Sequence, residues 1–399
     1  MAAPTEPLAR AYQELLDARV LELWRGGARS LFELCRGAEG AFPVDVQESA
    51  ERNALRVPLH RENRWEDDDG PGSMAGLTEP HPLDYEWRYS KKTVENLASW
   101  VVNRCGRSCS IACVGTPSLY ARLRTFGVAV TLWDRNPVFG ELGRTHGARP
   151  RGSAEPTVHI ADFLLPSPWR DDDLRRADLA VMDPPWYVDH TMAWTRHAMM
   201  LLRPGGTLVL TLFPRLLRPG AIVQREEVLA SLGAIGSTEQ LPFAATYSTP
   251  LFERETLAAA GIPDLGAWRT ADLIAVSLRT DARPVSAPNI KEAVWDRVRF
   301  GTQVVAVRQT ADRPHLPLTV EPASQEGSFL MRSVSSRDPT REKITVWTSR
   351  NRTAVVSPTA KALQFLQLLA AGDSAEGLLA EAAAPDRSGM RLLTALIGW

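Results

Sequence analysis

The stretch "ADLAVMDPPW", residues 177–186, is an apolar run that stops at a carboxylate, two rigid residues and an indole. Tandem prolines carry no backbone N–H and fix φ, so no helix or sheet ladder continues through Pro184 and Pro185. What they leave is a pre-set loop in which the Asp183 carboxylate and the Pro184 carbonyl can both accept from one –NH2 group. An aromatic amine is a poor nucleophile because its lone pair is delocalised into the ring. Two acceptors on its hydrogens pull the nitrogen towards tetrahedral geometry and free that lone pair. Because the prolines hold the carbonyl in place beforehand, little reorganisation is needed during reaction. Trp186 adds a face for a planar base, and such stacking is worth about 1–3 kcal/mol.

Three further strand-like runs end in residues able to hold a ligand, and in an open α/β sheet ligands sit outside the carboxyl ends of the strands. "SIACVGTPSL" ends in a turn at Gly115, with Thr116 and Pro117 opening a helix. A glycine there lets backbone approach a ligand, and a helix N-terminus offers free N–H groups. "VAVTLWD" ends at Asp134, about 20 residues past the glycine, where a carboxylate can accept from ribose hydroxyls. "PTVHIAD" ends at Asp162-Phe163, a carboxylate and a ring suited to an adenine amino group and ring face.

Elements that would position these residues alternate from about residue 83. "KKTVENLASWVVNRC", "TPSLYARLRTFG", "TMAWTRHAMMLLRPGG" and "REEVLASLGA" read as helices between the strands "SIACVG", "VAVTLWD", "PTVHIAD", "ADLAVMD" and "TLVLTLF". Two later strands, "GSTEQLP" and "DLIAVSLR", are expected to pair antiparallel at one edge. Near-continuous apolar strands between helices imply a parallel sheet covered on both faces, and the crossover rule makes it doubly wound.

"CVGTPSL" together with "VMDPPW" resembles the class I S-adenosylmethionine-dependent methyltransferases that act on exocyclic amines. The likeness is to the adenine-methyltransferase-like family that includes the zinc-knuckle ribosomal-RNA adenosine methyltransferase and the elongation-factor-1A lysine methyltransferase. It covers roughly residues 84–280. The resemblance implies an α/β, Rossmann-like doubly wound sheet with S-adenosylmethionine as cofactor. It further implies that Asp183, Pro184, Pro185 and Trp186 carry catalysis, and that Cys113, Gly115, Thr116, Pro117, Asp134, Asp162 and Phe163 hold the cofactor. The acceptor it implies is adenine N6 in RNA or DNA, with a protein side-chain amine or amide (lysine or glutamine) as the alternative. A methyltransferase fold used only as a binding subunit is the non-catalytic alternative. The first motif lacks the Gly-x-Gly of most such enzymes.

The flanks read differently. Residues 1–60 are expected to be helical, broken at Arg25-Gly26-Gly27, and 61–83 is charged and Gly/Pro-rich, as a linker is. "DYEWRYS" (84–90) either packs on the sheet or lids the site. Residues 281–399 read as a small α+β domain with winged-helix character, its hairpins near 294–308 and 343–357. Trp295, Arg297, Arg299, Phe300, Trp347, Arg350 and Arg352 cluster there, an interleaving that suits nucleic acid. Either flanking region is also a candidate surface for a protein partner.

A net charge of −1 excludes a uniformly basic nucleic-acid binder but not a local basic face. Cys35, Cys105, Cys109 and Cys113 are too few for a disulfide scaffold. Cys113 falls in a strand, so the three closely spaced cysteines do not share a helix face and no metal is expected. His190 and His197 are expected to be structural or solvent-facing. No run approaches the roughly 20 apolar residues of a membrane span, and no signal peptide is evident, so a cytoplasmic bacterial protein is expected.

Overall fold

A computed structural model describes residues 6–59, 78–140, 157–165, 174–286 and, with short gaps, 290–398. The apolar runs form the expected sheet. Its strands are β1 (Ser110–Val114), β2 (Ala129–Asp134), β3 (Thr157–Ile160), β4 (Ala177–Met182), β5 (Leu202–Leu212), β6 (Gly236–Gln240), β7 (Ala245–Thr246) and β8 (Thr270–Leu278). They lie in the order β3-β2-β1-β4-β5-β8-β6, with β7 paired to the start of β8. Strands β1 to β5 are parallel. The last two strands do pair antiparallel, but β8 inserts between β5 and β6 and leaves β6 at the edge. Burial explains this: β8 is buried along most of its length while β6 is exposed at Ser237–Gln240.

Helices cover both faces, as apolar central strands require. Lys91–Cys105 and Pro117–Thr125 pack one face, and Val188–Leu201 and Ala221–Gly233 the other. The first of these begins at Ser90, whose Oγ accepts from the Thr93 N–H. Val188–Leu201 ends earlier than the sequence suggests, because Leu202 already pairs with Ala177 at the foot of β5.

Ahead of the sheet, helices Glu6–Arg25, Leu31–Gly37 and Pro43–Arg52 break at the predicted glycines. Ser30 and Glu33 form a capping box that starts the second. Leu16, Val20 and Leu34 share a core with Leu216, Leu257 and Trp268. After the sheet, β9 (Trp295–Phe300), β10 (Gln303–Arg308), β11 (Thr319–Pro322), β12 (Val346–Thr348) and β13 (Thr353–Ser357) form one antiparallel sheet, ordered β11-β13-β12-β10-β9. Helices Thr359–Ala371 and Arg387–Ile397 pack on it.

Of the stretch read as a linker, 61–77 lies outside the described residues. Its end, 78–83, is pinned: the Glu79 N–H donates to the Thr302 carbonyl at 2.7 Å, and His81 Nε2 sits 3.0 Å from the Trp347 carbonyl. Burial drives the His81 pKa down to about 4.

The N-terminal helices meet the main sheet at a point that admits no side chain. Gly40 has φ +83°, and a Cβ there would lie 2.1 Å from Cγ of Pro214, just beyond β5. The Leu216 N–H donates to the Glu39 carbonyl alongside, at 2.9 Å. Left-handed strain of about 1–2 kcal/mol adds to overpacking of about 1–3 kcal/mol. Gly40→Ala is therefore expected to lower stability by about 2–5 kcal/mol in urea unfolding. Wild-type stability in this variant would show that the junction is loose.

Candidate active site

The chain that ends β4 is turned by its prolines into the predicted loop, and its hydrogen bonds sort the carbonyls. The Tyr187 N–H donates to the Pro185 carbonyl at 2.7 Å, closing a tight turn. Among the described residues no donor reaches the Pro184 carbonyl. The Asp183 N–H donates to the Val114 carbonyl at 3.2 Å, which ties the loop to the end of β1.

Asp183 itself is clamped on one oxygen. Thr211 Oγ1, near the end of β5, and the Tyr247 hydroxyl, just after β7, both donate to Oδ1, the second at 2.9 Å. Oδ2 receives no hydrogen bond among the described residues. Burial raises the Asp183 pKa to about 7, against the opposing pull of the two hydroxyls and of the Arg269 charge. Oδ2 of Asp183 and the carbonyl of the next residue, Pro184, are thus both left without a hydrogen bond among the described residues.

Asp183 and Pro184 both line a cavity of about 670 Å³. The N-terminal helices contribute Phe42 and Asp45, the main sheet Asp183 to Tyr187, and the C-terminal part Leu330 and Val334. Tyr85 and Trp87 of "DYEWRYS" also line it, so this segment is a wall of the cavity, while Tyr89 packs inward against Tyr247 at 5.3 Å. Trp186 lines the cavity too, but the Arg269 guanidinium lies 4.4 Å from its ring centroid and 4.1 Å from that of Trp87. A cation of the chain already covers part of the surface expected to receive a base.

Sequence reasoning passed over Thr211, Tyr247, Glu253 and Arg269. Thr211, a polar residue near the end of the apolar run "TLVLTLF", is a readable signal. Glu253 was not: it sits on helix Leu251–Ala259, which had not been anticipated, and its spacing resembles any amphipathic turn. In the structure Glu253 is 2% exposed and lines the cavity. Burial raises its pKa to about 7, offset only by the charge of Arg269.

The strand-end residues meant for a cofactor lie at the ends of β1, β2 and β3. Asp134 is buried, with Oδ1 accepting from the Asn136 N–H at 2.8 Å. Burial, aided by Glu86 and Asp84, holds its pKa well above the usual carboxylate range. Asp162 accepts from the Leu164 N–H at 2.9 Å and lies 3.6 Å from Arg135. The buried Oδ2 of Asp84 has no partner among the described residues. The carboxylates beside Asp134 are balanced by cations of the chain: Glu86 pairs with Arg88 at 2.6 Å, and Asp84 with Arg297 and Arg135.

Other members of the set do different work. Cys113 turns its side chain into the core with Leu97, Leu119 and Leu132, and burial pushes its thiol up to about 12. Its side chain is a packing group and cannot face a ligand at the strand tips. Gly115 has φ +63°, and a Cβ would fall 2.6 Å from the Trp194 ring, so the glycine makes room for an indole of the chain. Thr116 aims its hydroxyl at the Val181 carbonyl, 3.5 Å away, and Pro117 is the first residue of its helix. Phe163 is buried against Trp194, with centroids 5.1 Å apart.

The histidines are both buried: His190 Nδ1 lies 3.0 Å from Asp189, and burial lowers the His197 pKa to about 4. The C-terminal basic and aromatic cluster is largely consumed internally. Arg297 donates to Asp84, Arg350 Nη2 lies 3.3 Å from Glu79, Trp347 is fully buried and Phe300 belongs to the core.

Residues 86–240 match the model of a family described as "Probable N6-adenine methyltransferase". EEF1A lysine methyltransferase 1 of Gallus gallus is 27% identical over 145 residues, 35% of this chain and 61% of that protein. The chain thus spans about three fifths of that relative's length. Among solved structures, the branched-chain polyamine synthase C9 mutein of Thermus thermophilus superposes with a TM-score of 0.52 at 13% identity. That match covers 73% of this chain and 97% of the synthase, and it shows a shared α/β fold.

The two buried carboxylates have a consequence for stability. Asp183 and Glu253 hold protons up to about pH 7 in the folded chain but only to about pH 4 when unfolded. Between those values the folded state binds more protons at these two groups, so their contribution to stability falls as pH rises from about 4 to about 7 and then levels. Urea unfolding at pH 5 and pH 8 is expected to show a smaller decline for the Asp183→Asn/Glu253→Gln double variant than for wild type. Equal declines would place the titrating groups elsewhere.

Proposed function

We propose that the protein is an S-adenosylmethionine-dependent N-methyltransferase whose acceptor amine binds at Asp183 and Pro184. One observation carries this: Oδ1 of Asp183 is taken by Thr211 and Tyr247, while Oδ2 and the Pro184 carbonyl, on two residues that line the cavity, accept no hydrogen bond among the described residues. Two hydrogens of one amine meet two fixed acceptors, which turns the nitrogen lone pair away from them. Bound S-adenosylmethionine would supply a methyl group on a sulfonium centre. The clamp on Oδ1 keeps the carboxylate from swinging, so its orientation is set before the amine arrives. An amine that binds as a cation has no lone pair and must lose a proton before it can accept a methyl group; Asp183, near its pKa at neutral pH, can take that proton.

The matching family description supports adenine N6 in RNA or DNA as the acceptor, and the Gallus gallus relative supports a protein lysine. A specific feature favours a cationic amine over a base: Asp45, Asp183 and Glu253 line one cavity, and Arg269 already lies on Trp186. The intact acceptor pair at Asp183 and Pro184 speaks against a purely non-catalytic role. Asp134 and Asp162 are the carboxylates that would hold the cofactor's nucleoside.

Labelled S-adenosylmethionine incubated with fractionated cellular RNA, DNA, protein and small molecules identifies the acceptor class. Asp183→Ala is expected to cut transfer by about a hundredfold or more, the scale seen when one preorganised polar group is lost. Cofactor affinity by calorimetry should change less than threefold. Normal turnover in the variant would refute the assigned role of Asp183.

A further inference from the structure

Glu253 is the buried charge that the acceptor pair does not use. It is 2% exposed, lines the same cavity as Asp183, and accepts no hydrogen bond from any described residue. A buried carboxylate without donors costs several kcal/mol unless something compensates it. Arg269 is the cation that acts on it, yet Arg269 forms no ion pair with either Glu253 or Asp183. Its guanidinium is laid against the rings of Trp87 and Trp186 instead. Arg218 also borders the cavity, but it donates to Gln224 at 2.8 Å and lies over Tyr187 and Phe213. Two carboxylates therefore line one cavity, Glu253 with no hydrogen-bond donor and Asp183 with none on Oδ2, among the described residues.

We propose that the cavity binds a free aliphatic oligoamine, with one nitrogen at Asp183 and the Pro184 carbonyl and a second nitrogen at Glu253. A ligand satisfying both carboxylates must carry two separate donor groups. Adenine offers one amino group, and the ring nitrogens beside it are acceptors that an ionised Glu253 repels. A lysine side chain brings a single nitrogen. An oligoamine brings donors to both ends, and its methylenes pack on the rings of Trp87, Phe252 and Trp268 that line the same wall. The enclosure agrees, because about 670 Å³ falls within the range of small-molecule sites. Its walls come from the N-terminal helices, the main sheet and the C-terminal part, which surround a small ligand. Calling this amine the methyl acceptor rests on the proposed function, whereas its binding does not.

The test is calorimetric titration of the full chain at pH 8 with butane-1,4-diamine, n-butylamine and adenosine. The diamine is expected to bind at least tenfold more tightly than either of the others. Glu253→Gln, which keeps the side chain's size, is expected to bring the diamine to within about threefold of n-butylamine and to leave n-butylamine unchanged. Equal binding of diamine and n-butylamine by wild type overturns the proposal without any variant, as does tighter binding of adenosine. Diamine binding that ignores Glu253→Gln overturns the second anchor. A parallel incubation with labelled S-adenosylmethionine separates the two ideas. Tight diamine binding with no label transferred to it overturns the acceptor role and supports the recognition.

Discussion

The doubly hydrogen-bonded Oδ1 of Asp183 is the interaction on which the rest of the site depends. A carboxylate this deeply buried would by itself move strongly towards its neutral form, since desolvation alone can shift a group by up to about 3–5 pKa units. Thr211 and Tyr247 oppose that shift and hold the group near neutrality. They come from β5 and from the segment after β7, so the clamp exists only if the sheet is assembled in its observed order. The antiparallel insertion of β8 matters here. It pairs with β7 and brings the chain at Tyr247 back over the ends of the parallel strands. A tail strand left at the outer edge would lack that second hydroxyl.

The Asp-Pro-Pro-Trp loop was legible because each residue type there has a local reason: prolines forbid regular structure, and a carboxylate after a buried strand needs an explanation. The parallel sheet was legible for a similar reason, its strands being apolar on both faces. What was hidden depended on distant contacts. Gly115 reads as an opening for a ligand, yet the space is filled by Trp194, far along the chain. Cys113 belongs to a strand-end motif, but alternation along β1 points its thiol into the helix layer. Arg297 and Arg350 look like a nucleic-acid surface until Asp84 and Glu79 are folded against them. Glu253 and Arg269 carry no motif at all, and only burial distinguishes them.

The same distant contacts explain why the Asp183–Trp186 loop at the edge of a sheet ends up lining a cavity. Open α/β sheets expose the carboxyl ends of their strands. Here the N-terminal helices reach that edge through Gly40 against Pro214, and the C-terminal part reaches it through Asn351, whose Nδ2 donates to Thr256 at 2.9 Å. Thr256 stands one turn beyond Glu253 on the same helix. The helix that carries the second carboxylate is thus held from both sides, by Leu257 in the N-terminal core and by Asn351 from the C-terminal sheet.

Rigid mounting has an electrostatic purpose. A flexible Glu253 could turn to Arg269 and form an ion pair, which would neutralise both groups and remove the driving force for a ligand. Two indoles keep the guanidinium flat against their faces, and the fixed helix keeps the carboxylate apart from it. Burying a carboxylate away from an ion-pair partner costs stability, and burial raises the pKa of both carboxyl groups to about 7. A fold that keeps such groups unpaired, while closing a small cavity around them, holds in reserve the interaction energy that a ligand with complementary donors would release on binding.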